Sequence, residues 1–320
     1  MSEYKKIHGI HVQALASDPS NLGAGQVWYN TTTNKLKITA VSTSGAWATG
    51  GNMATSRYGL PGAGTQTAGL AFGGDVPSLT NATEHYDGSA WTAGGNMGTA
   101  VFKLSGAGTD TAGLAFGGRT PGLTNATEHY DGSAWTAGGN MGTGRKDLGG
   151  AGTQTAGLAF GGRTPTTTNA TEHYDGSAWT AGGNMGATRY YLVGAGTQTA
   201  GLAFGGDAYP LTNDTEHYDG SAWTAGGNLG TGRYALAGAG TDTAGLAFGG
   251  RGVYTGVTNI TEHYDGSAWT SGGNMATERE DLGGAGTLSA GLAFGGQTPI
   301  TNATEEYAGP GIISKTVTSS

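Results

Sequence analysis

The sequence predicts an all-β chain: a six-bladed β-propeller with four antiparallel strands per blade, closed by an N-terminal strand that completes the last blade. Three observations carry this. A unit of about 44 residues recurs along most of the 320 residues. Each unit holds four short strand signals, and none shows a 3.6-residue apolar period long enough for a helix. The last unit lacks its fourth strand, and an orphan copy of that strand stands ahead of the first unit.

The period is read from two series. Tryptophan recurs at Trp47, Trp91, Trp135, Trp179, Trp223 and Trp269, and the phenylalanine of "AFGG" at Phe72, Phe116, Phe160, Phe204, Phe248 and Phe294. The third unit shows the strands. "DLGGAG" is the first, "AGLAFGG" the second, "NATEHY" the third and "SAWTA" the fourth. Asp-Gly between the last two reads as a two-residue type I′ hairpin turn, with positive φ at both centres. The first strands are Gly- and Ala-rich, as the crowded innermost strands of a radial array require, while the aromatic residues come later, where the blades diverge. The sixth unit stops after "TNATEEY", and "STSGAWATGGNM" at 42–53 supplies the missing strand. Trp47 is therefore expected beside Tyr307, closing the ring.

Gly161-Gly162, then Tyr174, then Trp179, with equivalents in the other units, resemble the kelch repeat. The resemblance covers about residues 45–307. A WD repeat fits less well, because no Trp-Asp dipeptide occurs. A sialidase Asp-box fits less well too, since Asp175 to Trp179 is one residue short.

Residues 1–41 lie outside the repeat. "GQVWYNTTTNKLKI" alternates around "TTTN" and predicts a small hairpin. Ser17-Asp18-Pro19, Gly25-Gln26-Val27-Trp28-Tyr29-Asn30 and Lys35-Leu36-Lys37 resemble a motif common near the start of tail- and fibre-associated proteins of tailed bacteriophages. The "TAGLAFGG…EHYDGSAWTAGGN" repeat is similar to repeats in phage structural proteins. The resemblance implies a virion protein, assembled in the host cytoplasm and present in several copies per particle. Residues 1–41, with Trp28, Tyr29 and Asn30, would contact other virion proteins or a sister subunit, or else cap one face of the propeller. The expected domains are 1–41 as arm, 42–307 as propeller and 308–320 as tail.

Comparing the units with one another locates a candidate binding face. The second–third and fourth–first connections vary, while the other turns hardly change. In a four-stranded blade the variable pair share one face. They contribute Arg57, Tyr58, Phe102, Lys103, Arg119, Arg145, Lys146, Arg163, Arg189, Tyr190, Tyr191, Tyr209, Arg233, Tyr234, Arg251, Tyr254 and Arg279. Tyr and Arg on rigidly held loops suit recognition of a partner or a host-surface glycan; drift at unconstrained positions is the plainer account. The repeated arginines either ring the axial mouth as an anion site or form salt links between blades.

Other chemistry is weighed and set aside. Net charge is −8 with 12 % charged residues, against a nucleic-acid binder. No cysteine is present, which excludes thiol chemistry, Cys-ligated zinc and the Cys–Tyr copper site of kelch-type oxidases. No run of 18 apolar residues predicts a membrane span, and the first 18 residues show no leader pattern. His85, His129, His173, His217 and His263 recur on five separate blades, too far apart to share a metal ion, and are expected to bond between blades. Glu84- and Asp87-type carboxylates repeat identically, unlike a catalytic pair, and no singular carboxylate pair is evident. Asn-x-Thr triplets such as that at Asn81 follow the repeat. The expectation is a non-enzymatic chain with no cofactor and no metal. A head-decoration protein is the alternative, and a carbohydrate-active propeller enzyme and a bacterial scaffold protein are the others.

Overall fold

The structure, a computed structural model, describes residues 12–19, 26–42, 44–208, 211–252 and 254–316. Every regular element among them is a β-strand. Contacts divide the chain into two compact units: Ala46–Gly309, and Met1–Gly45 together with Pro310–Ser320.

The larger unit is propeller-like, built of four-stranded antiparallel sheets that follow one another along the chain. The third sheet is typical: Gly149–Thr153, Ala156–Phe160, Thr171–Tyr174 and Trp179–Ala181, in that order. The first strands of the others begin at Gly62, Ser105, Val193, Ala237 and Gly283. In the sixth sheet the fourth strand is Ala46–Thr49, paired with Thr304–Ala308 in the register Tyr307↔Trp47 and Glu305↔Thr49. The expected completion of the last sheet is therefore present, and the Trp47 and Tyr307 rings lie 5.0 Å apart.

Small residues in the first strands follow from crowding. A Cβ on Gly62 would lie 2.4 Å from the carbonyl oxygen of Gly284 in the sixth sheet, and one on Gly194 would lie 2.3 Å from that of Gly150. No side chain fits there. The large residues fill the wedges between sheets. Each wedge holds one apolar cluster drawn from two neighbouring sheets, such as Leu114, Phe116, Met141, Leu148 and Tyr174. The wedge between the sixth and first sheets has the same composition, with Phe294, Leu292, Met53, Leu60 and Tyr86. Full burial of one such side chain contributes about 1.5–3 kcal/mol.

Each wedge is also bolted by polar contacts in a fixed pattern. The indole N–H of every repeat tryptophan donates to a threonine Oγ1 on the preceding sheet's third strand at 2.9 Å: Trp135 to Thr83, Trp179 to Thr127, Trp47 to Thr261 and Trp91 to Thr304. The histidines face the next sheet's tyrosine, His85 to Tyr130 and His129 to Tyr174 at 2.7 Å, so each is held in a bond between sheets. In the sixth sheet Glu306 stands in for histidine and accepts from the Tyr86 hydroxyl. The Asn-x-Thr asparagines are likewise internal: Asn81 Nδ2 donates to the Met97 carbonyl at 2.8 Å.

The Asp-Gly turn differs from expectation. Four residues, Asp175 to Ala178, separate the paired Tyr174 and Trp179. Only Gly176 has positive φ, at 94°. Asp175 Oδ1 accepts from Ser177 N, Ser177 Oγ and Ala178 N at 2.8 Å, so the aspartate serves as a side-chain cap and not as a left-handed turn residue.

The smaller unit is one sheet with strand order Gln13–Leu15, Val27–Asn30, Lys35–Ser42, Gly311–Thr316. The expected hairpin is there, turning at residues 31–34. Two boundaries change. Residue 41 falls inside a strand, and the segment after 308 is no loose tail: Gly311–Thr316 pairs antiparallel with Lys37–Ser42. A β-branched-rich "GIISKTVT" favours such pairing. Asp18 organises this unit. It accepts from Trp28 Nε1 at 3.1 Å, Asn30 Nδ2 at 2.8 Å and Lys37 Nζ at 2.6 Å. These bonds, led by that from Lys37, lower its pKa to about 2.

Trp47→Ala removes the same ring contacts and indole bond that Trp91→Ala removes elsewhere. Each is expected to cost about 3–5 kcal/mol in chemical denaturation. A loss under about 1 kcal/mol for Trp47 alone would show that the N-terminal strand is dispensable to the sheet it completes.

Candidate functional site

The variable connections meet at one end of the sheets. In each sheet a residue of the fourth–first connection bridges the residue after Gly-Gly: Tyr58 with Asp75, Phe102 with Arg119, Lys146 with Arg163, Tyr190 with Asp207, Tyr234 with Arg251, Glu280 with Gln297. The next residue in each connection has left-handed backbone: Gly59, Lys103, Asp147, Tyr191, Ala235 and Asp281, with φ between 51° and 61°. Their amides form a closed cycle. Gly59 N donates to Asp281 O at 2.8 Å, Lys103 N to Gly59 O at 2.7 Å, and Asp147 N to Lys103 O at 3.0 Å. Tyr191 N continues to Asp147 O at 2.8 Å, Ala235 N to Tyr191 O at 3.1 Å, and Asp281 N to Ala235 O at 2.8 Å.

A lysine, a tyrosine and two aspartates rise from this cycle. Lys103 Nζ lies 3.6 Å from Asp147 Oδ1, 3.8 Å from Asp281 Oδ2 and 4.1 Å from the centroid of the Tyr191 ring, whose hydroxyl it also contacts. Lys146 Nζ is 3.1 Å from Asp147 Oδ2, and Gln297 Nε2 donates to Asp281 Oδ2 at 2.9 Å. Tyr191 stacks on Tyr190 and Tyr234 at 5.0 and 5.7 Å. The six residues of the cycle, with the leucines that follow five of them, bound a cavity of about 100 Å³. A second, of about 140 Å³, is lined by the first strands, including Gly62, Ser105 and Gly149.

Burial dominates the electrostatics. It pushes Asp281 up to about 6, against the pull of Lys103 and with a further push from Asp147. It raises Asp147 as well, opposed by Lys103 and Lys146. The Tyr191 hydroxyl is raised by burial and by both aspartates. The expectation that no singular carboxylate pair exists is thus corrected. Asp147 and Asp281 occupy one repeat position on different sheets, and the cycle brings them to one mouth.

The expected face is brought together in part. Arg119 and Arg163 are exposed, with Arg163 5.3 Å from the Tyr190 ring, and Tyr254 is 99 % exposed. Tyr58, Phe102, Lys103, Lys146, Tyr191 and Tyr234 are half-buried around the mouth. Arg251 is half-buried and chelates Glu280 at 2.8 and 2.9 Å. Tyr190 is buried and donates to Asp207 Oδ2 at 3.0 Å. Tyr209 lies outside the described residues.

Arg57, Arg145, Arg189, Arg233 and Arg279 are a correction. All are buried and none is available to a ligand. Arg57 Nη1 donates to the Gly73 and Ala82 carbonyls at 3.1 and 2.7 Å, and Nη2 to Glu84 Oε1 at 2.7 Å. Glu84 Oε2 takes the Ala54 amide at 2.7 Å. Each arginine satisfies carbonyls where the second and third strands part, and it pairs with the glutamate of the sheet its own connection leads into. Burial pulls the arginines down and the paired glutamates push them back. Trp28 and Asn30 are corrected too, because both are buried under Asp18; of the three expected attachment residues only Tyr29 is partly open.

Two measurements check this geometry. Arg189→Met should cost about 3–5 kcal/mol by leaving Glu216 charged and unpaired, and much less with Glu216→Met added. For Asp281 the folded pKa exceeds the unfolded one, so its contribution is favourable below about pH 4 and is lost as pH rises through about 6. His129, His173 and His263 are lowered by burial and act with the opposite slope. The wild-type minus Asp281→Asn stability difference isolates the aspartate; it should fall between pH 4 and 6, and a flat difference would contradict its burial. A scan against protein-family models finds no match to this chain, and a search of curated proteins finds none either.

Proposed function

We propose that this chain is a non-enzymatic structural protein of a tailed-phage virion, tail- or fibre-associated. The six sheets are the blades of a closed, kelch-like β-propeller, and its variable end recognises a host-surface glycan or a partner protein. One observation carries the reading. The connections that differ between otherwise near-identical units adjoin one another; they gather half-buried Tyr58, Tyr191 and Tyr234 around a mouth with unlike charges and expose Arg119, Arg163 and Tyr254. Residues 1–41 belong to the arm that meets other virion proteins. The phage-like motif supports this, because its Asp18, Trp28, Asn30 and Lys37 are hydrogen-bonded into one small fold. Head decoration is the alternative placement.

Arg119→Ala, Arg163→Ala and Tyr254→Ala combined leave the core untouched. They should weaken host-cell or glycan binding at least about tenfold, as anchor residues of these types do. Unchanged binding removes the recognition face. Immunogold labelling of particles carrying this chain should mark tails or fibres. Label on heads selects the alternative, and absence from purified particles overturns the virion reading.

The meeting of Asp147 and Asp281 favours a second reading, a carbohydrate-active propeller enzyme. It requires new reducing ends from a host-surface polysaccharide, lost in Asp147→Asn.

A further inference from the structure

Five of the six fourth–first connections place an arginine in the same buried position; the second connection places Val101 there. The acceptors that surround the guanidinium lie 16, 25 and 27 residues after Arg57, Arg145 and Arg189, as Gly161, Ala170 and Glu172 do for Arg145. Where the second–third connection changes length the offsets follow it, to 16, 27 and 29 for Arg233 and 16, 24 and 26 for Arg279. Counted from Val101, those offsets reach Gly117, Ala126 and Glu128, the same residue types in the same strands. Glu128 is held as its equivalents are: its Oε2 accepts the Gly98 amide at 2.7 Å, just as Glu172 Oε2 accepts Gly142. Its other oxygen corresponds to the one that meets arginine in the other sheets. Glu128 is only 9 % exposed, and among the described residues it alone of the six equivalent glutamates has no ion-pair partner.

We propose that this position is a binding site for a guanidinium group from outside the chain. Valine has four fewer side-chain heavy atoms than arginine, and a guanidinium ion has four. The two carbonyls and the carboxylate supply three acceptors in the arrangement that a planar fork of N–H donors meets in the other sheets. The Ala126 carbonyl also accepts the Gly117 amide at 3.1 Å, as the Ala170 carbonyl accepts that of Gly161 beside Arg145. A buried carboxylate without a counter-charge adds the electrostatic drive. A free guanidinium compound and an arginine side chain of a partner share this chemistry.

The test is thermal unfolding of the full chain in 0 to about 20 mM guanidinium chloride, far below denaturing concentrations, against matched sodium chloride. Ligand binding to the folded state raises Tm saturably. Wild type should show that rise, whereas Val101→Arg and Glu128→Gln should follow the salt control, and Val101→Arg should start from a higher Tm. N-acetylarginine amide in place of the free ion separates the sources: stabilisation by both fits a partner's side chain, and by the ion alone a small-molecule site. A wild-type response equal to sodium chloride overturns the proposal, as does an equal guanidinium response in either variant. If Val101→Arg fails to fold, Glu128→Gln decides alone.

Discussion

Six backbone hydrogen bonds joined head to tail constrain everything else in the larger unit. Each sheet contributes one residue to the cycle, and each such residue must enter the left-handed region to turn its amide toward its neighbour. Five of the six are not glycine, and a left-handed L-residue costs roughly 1–2 kcal/mol. That strain persists because the cycle and the wedges around it hold the backbone in place. The same constraint gathers the most divergent residues of the repeat, since a side chain on any of the six positions projects to a shared mouth. Near-identical units thereby yield one asymmetric cluster of lysine, tyrosine and two aspartates.

The wedges work by a division of labour. Apolar clusters supply most of the stabilisation, while the Trp–Thr and His–Tyr contacts fix register between sheets and the Arg–Glu contacts tie a connection to the sheet it leads into. Two contacts mark particular seams. Glu306 replaces histidine only where the sixth sheet meets the first, and Val101 replaces arginine only in the second connection.

Period, strand order and the completion of the last sheet were legible because they are matters of count. A missing fourth strand at one end and a spare at the other can cancel only one way. Depth was less legible. The arginines recur in the same connections as the tyrosines around the mouth, and nothing in periodicity says that Arg189 turns inward to Glu216 while Arg163 stays out. The Asp-Gly pair resembled a two-residue turn, because a side-chain cap such as Asp175 to Ser177 and Ala178 leaves the same dipeptide in the sequence. Asp147 and Asp281 are 134 residues apart and look like unrelated polar substitutions. Only alignment of the units puts them in one column, and only the cycle puts that column on one mouth. In the smaller unit the hairpin could be read, but Asp18 as its hub could not, since its three donors come from two strands.

The way the chain enters and leaves the larger unit has a mechanical consequence. Ala46–Thr49 and Thr304–Ala308 are neighbours in one sheet, and the segments that lead to them are themselves paired over six positions, from Lys37↔Thr316 to Ser42↔Gly311. A pull on either segment is therefore shared by both before it reaches the sixth sheet. The two strands are then loaded in the same direction, so the rungs between them feel little shear. The tension passes instead to Ala290–Phe294 and to the packing of Trp47 and Tyr307. A single covalent tether would put the whole load on one four-residue strand; a doubled one makes the seam that closes the last sheet suited to bearing force.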